Sequence, residues 1–446
     1  MFKNISIILI FVMVLGLSSC IGPDKNRPPS VAEISCPTTA KMEESVTISV
    51  VAHDRDGDRI AYKVTFGDGV ESEWSDFLPS GQAKTFYHTY NRAGTFGIYA
   101  IASDHHHLNS GWSQKTFIKV TPIVREFVKI GTTSDAFFWS LRDWRGKLYA
   151  GTYGYPKLYN FPPWTRLKKL GAGESVTGIE EFLGTLFCNT ENRGRIYRMN
   201  PADPTDWTVV HDDDWPWGIG MAVLGSHIYA GFVRGGLEET KILYSSDGTS
   251  WPQADYWFGG ELVFWSILTY DGYVYALGSK KSTSKTWARR GIQTSWADAP
   301  ALCNIATGYW DMALPFIDGY LYLAMGRRTD GKTKLYRFDG SSLSDELFSL
   351  TAYYAVGACI YEGNMWWLFG SHHMNNPPSP TYYYLYRTPT GHPGSWEHLK
   401  TFSVTPIYSH GKYRTKGAVW PLGNKLYVAV QNKVYRMDEE APLPQE

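Results

Sequence analysis

Five residues in the last quarter of the chain carry side chains suited to acid–base chemistry: His372, His373, His410, Tyr413 and Arg414. Neutral His and Tyr within hydrogen-bond reach of a sugar C–H form a base and an acid, and a nearby Arg neutralises a carboxylate. The same residues also read as loop polars, because His372 and His373 open a Pro-rich insertion, Asn375-Asn376-Pro377-Pro378-Ser379-Pro380. A second group, Asp54-Arg55-Asp56-Gly57-Asp58, places three carboxylates within five residues. Their repulsion is relieved by bulk water or by a bridging hard cation, for which Ca²⁺ suits oxygen ligands. Asp54, Asp56, Asp58 and Asp104 are the candidate ligands. The turn lacks the twelve-residue loop and closing Glu of an EF-hand. His105-His106-His107 lacks His or Cys partners at zinc spacing and reads as a solvated loop. A third group consists of aromatics and cations: Trp139, Trp217, Trp265 and Trp310, with Arg193, Arg234 and Arg327. Aromatic faces flanked by polar groups suit sugar rings. No Ser-His-Asp order, phosphate-binding Gly loop or organic-cofactor motif accompanies them.

The composition limits what can position these groups. Forty-three basic and 43 acidic residues among 446 leave no net charge, which excludes a nucleic-acid scaffold. Aromatics at 15%, with 43 Gly and 24 Pro, point to strands and turns rather than long helices.

Residues 1–19 have the order of a secretory signal: Lys3, then an uncharged apolar run from Ile5 to Leu15. Leu17-Ser18-Ser19-Cys20 resembles the prokaryotic lipobox, which implies lipidation of Cys20 and a membrane partner reached through that lipid. Residues 20–29 read as a polar, Pro-rich tether. Export would place the protein at the cell envelope, extracytoplasmic or on the surface. Cys36, Cys188, Cys303 and Cys359 show no paired spacing and read as small buried hydrophobes rather than a disulfide framework.

Residues 30–121 alternate apolar and polar in short runs such as Ser45–Val51 and Arg59–Phe66, the pattern of an Ig-like β-sandwich. Two motifs resemble the polycystic-kidney-disease (PKD) domain family: Tyr62-Lys63-Val64-Thr65-Phe66-Gly67-Asp68-Gly69, and His88-Thr89-Tyr90 leading through Gly94 to Asp104. Val64 and Thr65 replace the family's usual Trp and Asp. The resemblance implies a spacer or binding module, without catalysis.

Residues 123–440 repeat one pattern seven times, a turn Gly followed by an aromatic-bearing strand. The turn glycines are Gly146, Gly184, Gly225, Gly272, Gly319, Gly363 and Gly423, at intervals of 38, 41, 47, 47, 44 and 60 residues. That is the period of a four-stranded propeller blade, so the expected fold is all-β, a PKD-type sandwich followed by a seven-bladed β-propeller and a tail, 441–446. Six positions before each turn Gly stand Ser140, Gly178, Ile219, Ser266, Ala313, Gly357 and Gly417, nearly all small, as crowding at a central axis requires. The last repeat lacks a fourth strand, and Arg125–Ile130 is the segment expected to supply it. Ser245-Ser246-Asp247-Gly248-Thr249-Ser250-Trp251 resembles the Asp-box turn of sialidase-type propellers, with one residue fewer, and implies a structural cap.

Two functions from different classes follow. One is an envelope-anchored binding protein that takes a glycan or an extracellular protein at the channel mouth. There Trp217, Trp265 and Trp310 are expected at like positions in three blades. The other is a carbohydrate-active enzyme. Resemblance to propeller-type polysaccharide lyases assigns its chemistry to His372, His373, His410, Tyr413 and Arg414. No nucleic acid is expected as a partner.

Overall fold

In the computed structural model, residues 26–439 are described except 124, 134–136, 154–156, 162–164, 172–173, 213–214, 235–238, 258–261, 281, 317, 327–329, 352–353, 372–380, 406–407, 410–411 and 414–416. The chain divides into two units, Met1–Val124 with Glu440–Glu446, and Arg125–Glu439. Among the described residues, apart from one 3₁₀ turn, Pro300–Leu302, every regular element is a strand.

The first unit packs two sheets face to face. One orders Glu33–Ser35, Ser45–Val51 and Lys84–Thr89; the other orders Thr39–Lys41, Thr116–Thr121, Gly94–Asp104 and Ile60–Thr65. Alternation along Ser45–Val51 buries Val46, Ile48 and Val50 against Tyr62, Val64, Ile98 and Ala100. Both sequence motifs of this unit have structural roles. Tyr90 donates its hydroxyl to the Phe66 carbonyl at 3.0 Å. His88 stacks on Phe66 with ring centroids 4.1 Å apart, and its Nε2 lies 2.8 Å from Asp68 Oδ2. Gly67 adopts φ +85°, and a Cβ there would stand 2.6 Å from the Gly97 carbonyl oxygen, so only glycine fits.

The second unit contains seven four-stranded antiparallel sheets. Their first strands are Phe137–Trp144, Ser175–Phe182, Trp217–Leu224, Leu262–Tyr270, Tyr309–Pro315, Tyr354–Tyr361 and Gly417–Leu422. A single residue pair, Glu191 with Trp217, joins the second sheet to the third. Each first strand touches the next, and the seventh touches the first. The seventh sheet is completed by Arg125–Thr132, which pairs with Lys433–Glu439 as expected. This pairing leaves no open hydrogen-bonding edge on Lys433–Glu439.

The second strands are buried on both faces, which is why their sequence runs Leu-Tyr rather than apolar-polar. Leu148, Leu186, Ile228, Val274, Leu321, Met365 and Leu426 are all inaccessible, and the aromatics after them nearly so. Several of those aromatics reach the following sheet. Tyr229 accepts from the Gln293 amide at 3.0 Å, and Tyr322 donates to the Thr390 carbonyl at 3.1 Å. The Asp-box-like turn is a cap. Asp247 Oδ1 accepts from the amides of Thr249 and Ser250 at 2.7 and 2.8 Å, which holds its carboxyl well below the usual carboxylate range. Trp251 packs against Phe187 of the preceding sheet. The four described cysteines are free.

Candidate functional site

Among the described residues, six of the seven first strands carry a β-bulge at the same place. The pairing with the second strand skips one residue in each: Trp139, Thr177, Ile219, Trp265, Asp311 and Val356. The residue after the bulge is small in five of the six: Ser140, Gly178, Gly220, Ser266 and Gly357. It is small because neighbouring first strands converge there. A Cβ on Gly178 would stand 2.8 Å from Gly220 Cα, and one on Gly357 2.9 Å from Ala418 Cα. Crowding forces the backbone to bulge, and a bulge re-aims the extra side chain. All six bulged residues line a single cavity of about 190 Å³, together with Gly220, Ser266, Ile267, Met312, Tyr354, Ala355 and Gly417.

The cavity therefore joins two indoles, Trp139 from the first sheet and Trp265 from the fourth, to a hydroxyl, Thr177, and a carboxylate, Asp311. Asp311 is the one carboxylate among its described lining residues. Trp265 keeps 36% of its surface accessible, while Thr177 is buried and hydrogen-bonded to Asn189 Oδ1 at 3.2 Å. Three residues beyond the second bulge, Glu180 lies 3.1 Å from Arg142 of the first sheet. Burial pushes its carboxyl up to about 7, and the Arg142 charge pulls the other way.

The remaining aromatics and cations of the third group do not share this geometry. Trp217, Trp265 and Trp310 are not at like positions, which corrects the sequence reading. Trp310 precedes the bulge at Asp311, so it points into the core: it is inaccessible and donates its indole N–H to the Leu302 carbonyl at 2.8 Å. Trp310 has no face to offer a ligand. Trp217 is exposed at the start of the third sheet and does not line the cavity. Ile219, the large exception at the repeat position, is the bulged residue, and Gly220, one place along, takes the crowded place. Ala313 likewise gives that place to Met312. Arg193 is exposed on a turn, and Arg234 lies 3.9 Å from Glu239. Arg327, His372, His373, His410, Arg414 and Cys20 lie outside the described residues; Tyr413 lies in a two-residue strand, Lys412–Tyr413, paired with Tyr408–Ser409. Thr177, Ile219 and Val356 were not among the sequence-derived ligand residues. The signal for them was present, as the residue just before the small one.

In the first unit the sheet register brings distant carboxylates together. Ile60 pairs with Asp104, and the loop ending at Asp58 runs into that strand. Carboxylate oxygens of Asp54, Asp58 and Asp104 all lie within 4.8 Å of one another. Asp104 is inaccessible and Asp54 is 7% exposed. Unit charges at that separation repel by about 3 kcal/mol per pair at an effective dielectric constant of about 20. Backbone donors offset part of this: Asp54 Oδ1 accepts from the Asp56 and Asp58 amides, and Asp104 Oδ1 from those of His106 and Leu108. Asn26 donates its side-chain amide to Asp104 Oδ2 at 2.7 Å. Asp54 Oδ2 remains buried with no hydrogen-bond partner, as a metal ligand would be. Asp56 is not part of the cluster; it is exposed, and its Oδ2 accepts from the Arg27 amide at 2.7 Å.

Comparison with known proteins bears on this first unit. Residues 32–117 match the family model described as PKD domain. This segment is a PKD domain. It is similar to the PKD domain of an M14-like peptidase from Thermoplasmatales archaeon SCGC AB-540-F20, at 29% identity over 21% of this chain and 97% of that one, with a TM-score of 0.21. A crystal structure of the eukaryotic initiation factor aligns at 8% identity over 86% of this chain and 97% of that one, with a TM-score of 0.31. None of the curated proteins matches the chain.

Proposed function

We propose that this protein is a cell-envelope lipoprotein, anchored through Cys20, whose second unit is a seven-bladed β-propeller that binds a glycan at its channel mouth. The observation that carries the reading is the set of six bulges that direct six side chains into one cavity. The cyclic contact of the seven first strands and the joining of the N-terminal strand to the last sheet support the propeller. Trp139 and Trp265 supply flat apolar faces, and Thr177, Ser266 and Asp311 supply hydrogen-bonding groups between them, the mixture that a sugar ring matches. A glycan array probed with the full chain, then with Trp139→Ala and Trp265→Ala, tests it. Each substitution should weaken a glycan hit about 2- to 10-fold. Hits that ignore both changes, or a partner recovered only as protein, would move the ligand elsewhere. For the anchor, Cys20→Ser should shift the protein from the detergent phase to the aqueous phase.

A second reading concerns the first unit: Asp54, Asp58 and Asp104 hold Ca²⁺. The buried, unpartnered Asp54 Oδ2 supports it, as do three hard oxygen donors converging on one point. In this role the ion is structural, fastening the Asp54–Asp58 loop to the end of the Gly94–Asp104 strand.

A further inference from the structure

We propose that Asp58, His105 and His106 form a binding site for a divalent transition cation of the zinc class, separate from the carboxylate cluster behind it. The three side chains come from two loops that the sheet register places side by side. Asp58 ends the loop before Ile60–Thr65, and His105 and His106 follow Asp104, the partner of Ile60. His105 Nδ1 lies 3.4 Å from Asp58 Oδ1, and His106 Nε2 lies 3.8 Å from Asp58 Oδ2. One ligand atom from each of the three residues falls within 4.8 Å of the others.

These separations are long for hydrogen bonds, which cluster near 2.9 Å. They are close to what a shared ion imposes. Tetrahedral zinc with bonds of about 2.0–2.1 Å holds its ligand atoms about 3.3 Å apart. The first distance already fits; the second runs to the other oxygen of Asp58, so the three ligand atoms, all within 4.8 Å of one another, close by up to about 1.5 Å to meet one ion. Asp58 Oδ2 is buried and has no hydrogen-bond partner, so the oxygen facing His106 is available. The two imidazole rings lie 3.9 Å apart, centroid to centroid, tilted by 43° rather than stacked. Each thus presents a nitrogen toward Asp58 instead of lying flat on its neighbour.

The frame is fixed from behind. Asp104 Oδ1 accepts from the amides of His106 and Leu108, and the Asp104 carbonyl accepts from that of His107. Asp54 Oδ1 accepts from the Asp58 amide at 3.1 Å. Two buried carboxylates therefore orient the loops that carry the ligands, as outer-shell groups do in metal sites. His107 adopts φ +64° and lies outside the cluster. That kink explains how two adjacent histidines converge where three could not.

Donor chemistry selects the ion. Imidazole nitrogens favour Zn²⁺, Cu²⁺ and Ni²⁺ over Ca²⁺, whereas the cluster behind is all oxygen. Half-exposed His105 and His106 leave the outer positions to water or to a ligand from another molecule. Asp58 is common to both sets, so the calcium reading and this one are separated by variants that do not touch it.

The test is zinc binding to the full, metal-stripped chain by competition with a chromophoric chelator. His105→Asn and His106→Asn should each weaken the site by more than about 100-fold, beyond what the loss of an outer-shell partner costs. His107→Asn should leave it unchanged. On the unaltered chain, zinc should shift the ring resonances of His105 and His106 and spare His107. Zinc affinity that survives His105→Asn or His106→Asn overturns the proposal.

Discussion

Replacing Trp310 and Trp265 by alanine, one at a time, distinguishes a core position from a cavity position across a one-residue bulge. The two tryptophans hold nearly the same place in successive sheets, yet Trp310 precedes a bulged residue and Trp265 is one. Trp310 is inaccessible, packs edge-on against Tyr336 at 5.9 Å and donates to the Leu302 carbonyl. Its loss leaves a large cavity and an orphaned acceptor, a cost of about 4 kcal/mol. The unit Arg125–Glu439 has about 315 residues. At about 2.1 cal/mol/K per residue its unfolding entropy is about 0.66 kcal/mol/K, so Trp310→Ala should melt about 6 °C lower. Trp265 is 36% exposed and buries less on folding. Its removal should cost about 1–2 kcal/mol, or about 2–3 °C, and weaken ligand binding instead. Differential scanning calorimetry of the full chain reads both. If Trp265→Ala melts as low as Trp310→Ala, or Trp310→Ala melts like the parent protein, the bulge does not separate core from cavity and the argument fails.

Three further outcomes are expected. Phe127, on the strand that completes the seventh sheet, contacts Phe402 of the sixth, ring centroids 5.4 Å apart, so Phe127→Asp should cost about 2–3 kcal/mol; an unchanged melting temperature would mean that Arg125–Thr132 is dispensable. Because the folded protein holds the Glu180 proton up to about pH 7 while the unfolded chain releases it near 4.5, stability falls as pH rises through that window. Glu180→Gln should therefore gain in melting temperature over the parent at pH 8 but not at pH 5, and an equal difference at both values counts against it. Ca²⁺ at about 100 times its dissociation constant should stabilise the PKD domain by about 2.7 kcal/mol. Asp54→Asn should melt higher than the parent without calcium, since it relieves repulsion, and should not respond to the ion; a retained calcium response removes Asp54 from the site.

Much of the architecture can be read along the chain. The seven turn glycines, the Leu-Tyr strands behind them and the spare segment at Arg125–Ile130 are local patterns, and hydrophobic periodicity reports local structure directly. The PKD motifs are equally local, because Gly67 and Tyr90 serve a turn and a neighbouring strand. Which residues face a ligand is a different kind of fact. Alternation along a strand assumes an unbroken register, and one inserted residue sends every later side chain to the opposite face. The bulges at Trp139, Thr177, Ile219, Trp265, Asp311 and Val356 arise from the convergence of strands about 40 residues apart in sequence, a crowding that exists only once the sheets are assembled. Hence the small residues where the first strands converge were legible, while Trp310 was misplaced and Thr177 was missed. The first unit repeats the lesson. Sequence grouped Asp56 with Asp54 and Asp58 because they are neighbours in the chain, and it treated His105 and His106 as a solvated loop. Pairing of Ile60 with Asp104 then carried both histidines to Asp58 and left Asp56 outside, since ligand sets are chosen by distance in space and register alone fixes that distance.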